Sequence, residues 1–104
     1  IYFDLASWDL KPESRVELSK LADFLWKNSS LKVEIVGHTD NVGGKEINLS
    51  LSQKRAQSVI NYLINEGLNS ANFQAKGLGE TSPVASNETE EGRSQNRRIE
   101  IRYY

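Results

Sequence analysis

A stripe of apolar residues three and four positions apart, as on one face of a helix, is followed six residues later by apolar residues at every second position, as on one face of a strand. The stripe consists of four residues: Leu18, Leu21, Ala22 and Leu25. Spacing of three and four predicts an amphipathic helix from Pro12 to about Lys27, because residues so spaced share one helix face. The alternation consists of Leu31, Val33 and Ile35. Period two predicts a strand with one apolar face, and that face requires a covering layer such as the helix.

The rest of the chain continues this order of elements. A second apolar stripe with helical spacing consists of Ala56, Val59, Ile60, Leu63 and Ile64, and it predicts a helix over about 48–66. Further strands are predicted at 1–4, 73–77 and 99–103, and loops at 37–45 and 78–95. The order β-α-β-α-β-β predicts an α+β sandwich in which two main helices pack on one mixed sheet. The length of 104 residues fits one domain, spanning 1–104.

Charge and the rare residue types exclude several classes of function. The 13 basic and 14 acidic residues give a net charge of −1, so binding to nucleic acid, which requires a basic surplus, is not expected. The chain has no cysteine and one histidine, which excludes disulfide scaffolds, thiol catalysis and cysteine-based zinc sites. We therefore expect neither a cofactor nor a metal ion.

The loop 37–44 is the first candidate site, because it directly follows a predicted buried strand. Loops at strand ends expose polar groups on a rigid support and often form ligand sites. Asp40 offers a carboxylate there, and Thr39 offers a hydroxyl. The alternative interpretation is that Asp40 only caps its own turn.

Two arginines at the edge of the predicted core are the other candidates. Arg55 borders the apolar stripe of the second helix, where a partly desolvated guanidinium binds carboxylates strongly. The alternative is that its stem covers the core edge while its head reaches water. Arg97 shares strand parity with Ile99 and therefore needs an anionic partner. Three partners are open: Asp40, a glutamate of the 80–91 loop, or a bound carboxylate, with an internal salt bridge favoured.

Asp40 and Arg55 together predict a site for a zwitterion. The loop between them can bring a carboxylate and a guanidinium to one cleft, where they complement an ammonium and a carboxylate. Each charge-assisted hydrogen bond is worth roughly 1.5–3 kcal/mol. Catalysis is not expected, because the chain lacks a nucleophile elbow. His38 is predicted to be structural, with its ring bonded to backbone.

Several motifs occur together along nearly the whole chain. They are Gly37-His38-Thr39-Asp40-Asn41-Val42-Gly43, Asn48-Leu49-Ser50-Leu51-Ser52-Gln53-Lys54-Arg55-Ala56, Gly77-Leu78-Gly79-Glu80 and Asn96-Arg97-Arg98-Ile99-Glu100. This set resembles the OmpA-like C-terminal domain family, which includes the corresponding domains of OmpA, Pal and MotB. The spacings are long and numerous, so the resemblance is specific.

The resemblance implies a non-catalytic periplasmic domain that binds peptidoglycan and belongs to a protein anchored in the outer membrane. In the family, an aspartate and an arginine hold the diaminopimelate of the stem peptide, and they match Asp40 and Arg55. Asp40 is then expected to take the side-chain ammonium, and Arg55 the carboxylate. Thr39, Asn48 and Arg97 match positions that commonly line the same pocket. Replacing Asp40 or Arg55 with Ala is expected to abolish binding to sacculi and to leave thermal stability near that of the wild type.

Two other functions remain open from the sequence. One is a protein-interaction module of a Pal-like envelope complex, with the acidic stretch around Glu88, Glu90 and Glu91 as its surface. The other is a wall hydrolase with Asp40 as general base. Such a hydrolase would release soluble muropeptides, and we expect none.

Overall fold

The computed structural model describes residues 8–104, and these residues form a mixed sheet covered by two long helices. The elements in chain order are α1 (Pro12–Lys27), β1 (Val33–His38), α2 (Lys45–Asn65), a short 3-10 turn (Ser70–Asn72), β2 (Phe73–Gly79), α3 (Glu90–Asn96) and β3 (Ile99–Tyr103). The predicted α+β class, with two main helices on one mixed sheet, is confirmed. The strand predicted at 1–4 lies outside the described residues.

The described sheet has the strand order β2-β1-β3, with β1 in the centre. β1 runs parallel to β2 and antiparallel to β3. The end of β1, the end of β2 and the start of β3 therefore lie at one edge of the sheet. Backbone hydrogen bonds join them there, from the His38 amide to the Arg98 carbonyl at 2.9 Å and from the Thr39 amide to the Gly79 carbonyl at 2.9 Å. This edge carries most of the predicted site residues.

The core contains most of the apolar residues that the sequence periodicity singles out, but Ile64 of the second stripe is exposed, and Leu21 and Leu31 are only partly buried. It consists of Leu18, Ala22, Leu25, Val33, Ile35, Ala56, Val59, Ile60, Leu63 and Ile99. Burial of one Leu, Ile or Val side chain contributes about 1.5–3 kcal/mol. The two helical stripes and the alternating faces of β1 and β3 thus meet in a single cluster.

Two glycines allow α2 to lie directly on the sheet. Gly37 of β1 and Gly77 of β2 are paired across the strands. A Cβ atom on Gly37 would lie 2.0 Å from the backbone oxygen of Ser52, and one on Gly77 would lie 2.7 Å from the backbone nitrogen of Gln53. Because the obstructing atoms belong to the helix backbone, only residues without a side chain permit this approach. It brings the first turns of α2 to the site edge.

Element ends differ from the sequence prediction where glycines extend the strands. β1 continues through Gly37 to His38, and β2 continues to Gly79, although both stretches were predicted to be loop after residues 36 and 77. The prediction that α2 begins at Asn48 is also wrong, because it begins at Lys45 with Gly44 as its N-cap. The extra first turn carries no apolar stripe into the core, so periodicity could not detect it.

The sequence predicts a loop over the whole polar stretch 78–95. This prediction is wrong for the end of the stretch, because helix α3 begins at Glu90. Thr89 is the N-cap, and its Oγ1 accepts a hydrogen bond from the Gly92 amide at 3.0 Å. Glu90 and Glu91 occupy the first turn, where negative charge favours a helix. A seven-residue helix without an apolar stripe gives no periodic signal, so only the cap and the two glutamates indicated it.

Candidate functional site

A cavity of about 200 Å³ lies at the end of β1, beside the first turns of α2. Four of the five candidate residues line it: Asp40, Asn48, Arg55 and Arg97. The rest of its lining is Val42, Gly43, Ile47 and Leu51. The cavity therefore combines three charged side chains with an apolar wall, and that wall was not anticipated from the sequence. Ile47 and Leu51, four residues apart on one helix, were the available signal.

Asp40 is buried, and both of its carboxylate oxygens accept hydrogen bonds. Oδ1 accepts from the backbone amide of Val42 at 3.0 Å, and Oδ2 accepts from Nη1 of Arg97 at 2.9 Å. The proposed turn cap and the proposed salt bridge to Arg97 thus both exist. Each carboxylate oxygen has two lone pairs, so these contacts leave acceptor capacity for a ligand ammonium.

Arg55 is fully buried at the base of the cavity. Its Nη1 donates to the backbone carbonyl of His38 at 3.1 Å. Burial lowers the pKa of Arg55 to about 10, although attraction to Asp40 opposes this shift. The guanidinium is still charged at neutral pH. The alternative in which its head reaches water is wrong, because the side chain is 0% exposed.

Arg97 bridges two acidic residues at the rim of the cavity. Its Nη1 pairs with Asp40, and its Nη2 pairs with Glu90 at 2.5 Å. Burial disfavours the charged form, but the hydrogen bonds that Arg97 donates to Glu90 and Asp40 outweigh burial and raise the pKa of Arg97. The prediction that Arg97 continues the apolar face of the last strand is wrong, because Arg97 is the C-cap of α3.

Thr39 and Asn48 bond to the backbone of Asp40. The Thr39 Oγ1 hydroxyl donates to the Asp40 carbonyl at 2.8 Å, and Nδ2 of Asn48 donates to the same carbonyl at 3.3 Å. Both side chains are buried. Thr39 is not among the lining residues of the cavity. Its contact therefore orients the carboxylate of Asp40 through the backbone.

The cavity can hold a group that carries both charges. Two guanidinium groups and one carboxylate line it, with Glu90 bonded to Arg97 at the rim. A ligand carboxylate can bond to the guanidinium of Arg55, and a ligand ammonium can bond to Asp40. The apolar side chains of Ile47 and Leu51 can contact the methylenes between the two charged groups.

His38 is buried next to the site. The prediction that its ring bonds to backbone is wrong, because the ring bonds to the side chain of Glu100. Nε2 lies 2.7 Å from Oε1 of Glu100. Because a carboxylate only accepts, Nε2 carries the proton. Nδ1 is buried and has no partner among the described residues. Desolvation lowers the pKa of His38, although the hydrogen bond to Glu100 opposes this shift.

The lowered pKa of His38 predicts that stability falls as the pH is lowered through its unfolded value of 6.5. Below that value the unfolded chain binds the proton more readily than the folded one, so the free energy of unfolding decreases. His38→Gln retains a donor for Glu100 but does not titrate. Urea unfolding at about pH 7.5 and about pH 5.5 should show a smaller decrease for this variant than for the wild type. Equal decreases for both proteins would contradict this role of His38.

Within residues 8–104, no three His, Asp or Glu side chains are grouped so that they could hold a metal ion. None of the described helices is both long enough and apolar enough to cross a membrane.

Comparison with known sequences places the chain among relatives of greater length. The probable lipoprotein YiaD of Escherichia coli is 42% identical over 101 residues, covering 97% of this chain and 46% of YiaD. The peptidoglycan-binding protein ArfA of Mycobacterium tuberculosis is 44% identical over 84 residues, covering 81% of this chain and 26% of ArfA. The chain thus spans less than half the length of these two relatives.

Comparison with solved structures finds the same kind of protein as comparison with known sequences. The crystal structure of the peptidoglycan-associated lipoprotein from Burkholderia pseudomallei matches 100% of this chain and 88% of that one. The TM-score is 0.96 and the sequence identity is 35%. The model of the OmpA family matches residues 2–97. The chain belongs to the OmpA family.

Proposed function

We propose that this domain binds peptidoglycan without cleaving it, by holding the diaminopimelate of the stem peptide in the cavity at the end of β1. The observation that carries the proposal is the convergence of a buried carboxylate and a buried guanidinium, Asp40 and Arg55, on one cavity of about 200 Å³. ArfA is named as a peptidoglycan-binding protein, and the Burkholderia relative as a peptidoglycan-associated lipoprotein. These names support peptidoglycan as the ligand.

The side-chain end of diaminopimelate carries an ammonium and a carboxylate on one carbon. In this proposal Asp40 accepts from the ammonium, and Arg55 donates to the carboxylate. Arg97 holds the Asp40 carboxylate in place and adds a second positive charge to the cavity. Asn48 and Thr39 fix the backbone of Asp40. All five side chains are buried, so the charged contacts form with little competition from water.

A hydrolase that uses Asp40 as general base is less compatible with this geometry. A general base must accept a proton from an attacking water. The Asp40 carboxylate is instead held by the Val42 amide and the Arg97 guanidinium, which orient it as a fixed acceptor for a ligand ammonium. We therefore propose a binding module that ties an outer membrane or an envelope complex to the wall, in the periplasm.

A surface made of Glu88, Glu90 and Glu91 is the basis of the second function considered, a protein-interaction module. Glu90 pairs with Arg93 and with Arg97, and Arg97 lines the ligand cavity. A test of protein partners should therefore change only Glu88 and Glu91, which are exposed.

Cosedimentation with purified diaminopimelate-type sacculi tests the proposal. Asp40→Asn and Arg55→Met each remove one charged contact while keeping side-chain size, and we expect binding at least about tenfold weaker for each, since a charge-assisted hydrogen bond is worth ~1.5–3 kcal/mol. Asp23→Asn and Arg15→Met are matched controls, because both residues are exposed and lie outside the cavity lining. The controls should bind like the wild type.

Burial changes one expectation about these variants. Asp40 and Arg55 are 2% and 0% exposed, so the expected near-normal stability of their Ala variants does not fit the structure. Loss of buried contacts destabilises, and binding must be compared below each variant's unfolding temperature.

Sacculi with lysine in place of diaminopimelate lack the side-chain carboxylate and should bind the wild type more weakly. Equal binding of both wall types, or normal binding by folded Asp40→Asn, would contradict the proposal.

A further inference from the structure

We propose that a second cavity, at the end of the molecule opposite Asp40, binds a neutral pyranose sugar. This cavity has a volume of about 340 Å³, within the range of small-molecule sites. It lies where α1 and α2 end and where β1 and β2 begin, with Leu25, Gly67 and Phe73 among its lining residues. Asp40 follows the opposite end of β1, so six strand residues separate the two cavities by roughly 20 Å.

The described residues that line this cavity are a mixture of polar and apolar side chains, and none of them is charged. In a chain with 26% charged residues, none of the described residues that line it is Asp, Glu, Lys, Arg or His. Its polar groups come from Asn28, Ser29, Asn69 and Asn72. An ionic ligand would enter without a counter-charge, which is costly. A neutral ligand with many hydroxyl groups fits this lining.

Three asparagines each use one end of the amide to hold their own position. Nδ2 of Asn28 donates to the Phe24 carbonyl at 2.8 Å, and Nδ2 of Asn72 donates to the Ser29 carbonyl at 3.1 Å. Oδ1 of Asn69 accepts from the Ala71 amide at 3.0 Å. The other amide ends, two acceptors and one donor, have no partner among the described residues. Sugar hydroxyls both donate and accept, so they match such a mixed set.

Trp26 supplies an aromatic surface at the mouth of the cavity. Its Nε1 donates to the Glu66 carbonyl at 3.2 Å, and its ring lies against Gly67, where a Cβ atom would be 3.0 Å from Cζ2. The ring is therefore held in place while the residue remains 56% exposed. A fixed and exposed indole ring can stack on the C–H face of a pyranose at low entropic cost. Leu68 and Phe73 add apolar contacts.

An NMR titration of the ¹⁵N-labelled domain tests this proposal with four disaccharides. The neutral probes are N,N′-diacetylchitobiose and cellobiose, and the charged probes are chitobiose with free amines and digalacturonate. We expect saturable shifts of backbone amides in 25–31 and 67–73 with a neutral probe, and at least about tenfold weaker binding of both charged probes. Shifts with diacetylchitobiose alone would identify an acetamido sugar as the ligand, and shifts with both neutral probes would identify a general pyranose site.

Matched variants separate this cavity from the rest of the surface. Trp26→Ala should weaken binding of the neutral probe at least about tenfold, whereas Trp8→Ala removes an exposed tryptophan outside the cavity and should change nothing. Asn69→Ser can still cap the 3-10 turn but lacks Nδ2, so it should weaken binding without loss of the fold. Absence of saturable shifts with both neutral probes, or normal binding by Trp26→Ala, would overturn the proposal. Asp40→Asn should leave the sugar titration unchanged, so the result of the titration does not depend on the cavity at Asp40.

Discussion

Gly37→Ala is expected to lower the free energy of unfolding by about 4 kcal/mol or more. The new Cβ would lie 2.0 Å from the carbonyl oxygen of Ser52 and 2.8 Å from its carbonyl carbon. Both atoms belong to the backbone of α2, so no side-chain rotation relieves the overlap. The helix must move off the central strand, which opens the core around Val59 and Leu63. Urea or thermal unfolding measures the loss.

The displacement of α2 should also reach the ligand cavity. Arg55 and Asn48 lie on the same helix as Ser52, and Nη1 of Arg55 bonds to the carbonyl of His38, next to Gly37. Any folded Gly37→Ala protein should therefore bind sacculi weakly. Gly44→Ala is the control, because no atom lies within 4 Å of its added Cβ. We expect that change to cost about 1 kcal/mol, as is typical when Ala replaces a favoured N-cap residue. Similar stabilities of the two variants would show that the close contact is unimportant.

Asn96→Ala is expected to lower the free energy of unfolding by about 3 kcal/mol, because one buried side chain makes four hydrogen bonds. Oδ1 accepts from the amides of Val84 and Ala85 at 2.8 and 3.1 Å. Nδ2 donates to the Ala85 carbonyl at 3.0 Å and to Oδ1 of Asn87 at 2.8 Å. The side chain is 0% exposed. Its loss removes four of the hydrogen bonds around segment 84–87 and leaves the one from Nη1 of Arg93 in α3 to the Asn87 carbonyl at 2.8 Å.

Asn61→Ala provides the comparison for this change. Asn61 is exposed on α2 and accepts one side-chain hydrogen bond, from Gln57. We expect its replacement to alter stability by less than about 0.5 kcal/mol. Hydrogen exchange should show faster exchange of the Val84 and Ala85 amides only in Asn96→Ala. If those two amides exchange as slowly as in the wild type, Asn96 does not hold the segment.

Residue patterns predicted much of the fold, because each successful prediction rests on a local property. The stripe of Leu18, Ala22 and Leu25 predicted α1, and the alternation of Ile99 and Ile101 predicted β3 with correct bounds. The zwitterion site drawn from the charges of Asp40 and Arg55 stays a prediction, and the structure shows that both residues line one cavity. Helix α3 was missed because a polar helix of seven residues has no periodicity.

The tertiary structure decided which charged groups meet. The pairing of Asp40 with Arg97 joins residues 57 positions apart, and the sequence left it as one of three options. The 0% exposure of Arg55 depends on how closely α2 lies on Gly37 and Gly77, which no stretch of sequence reports by itself. Periodicity follows from the geometry of a single element. Burial, ion pairing and the two cavities arise only where elements distant in the chain pack together, so the sequence determined the elements and the tertiary structure determined the sites between them.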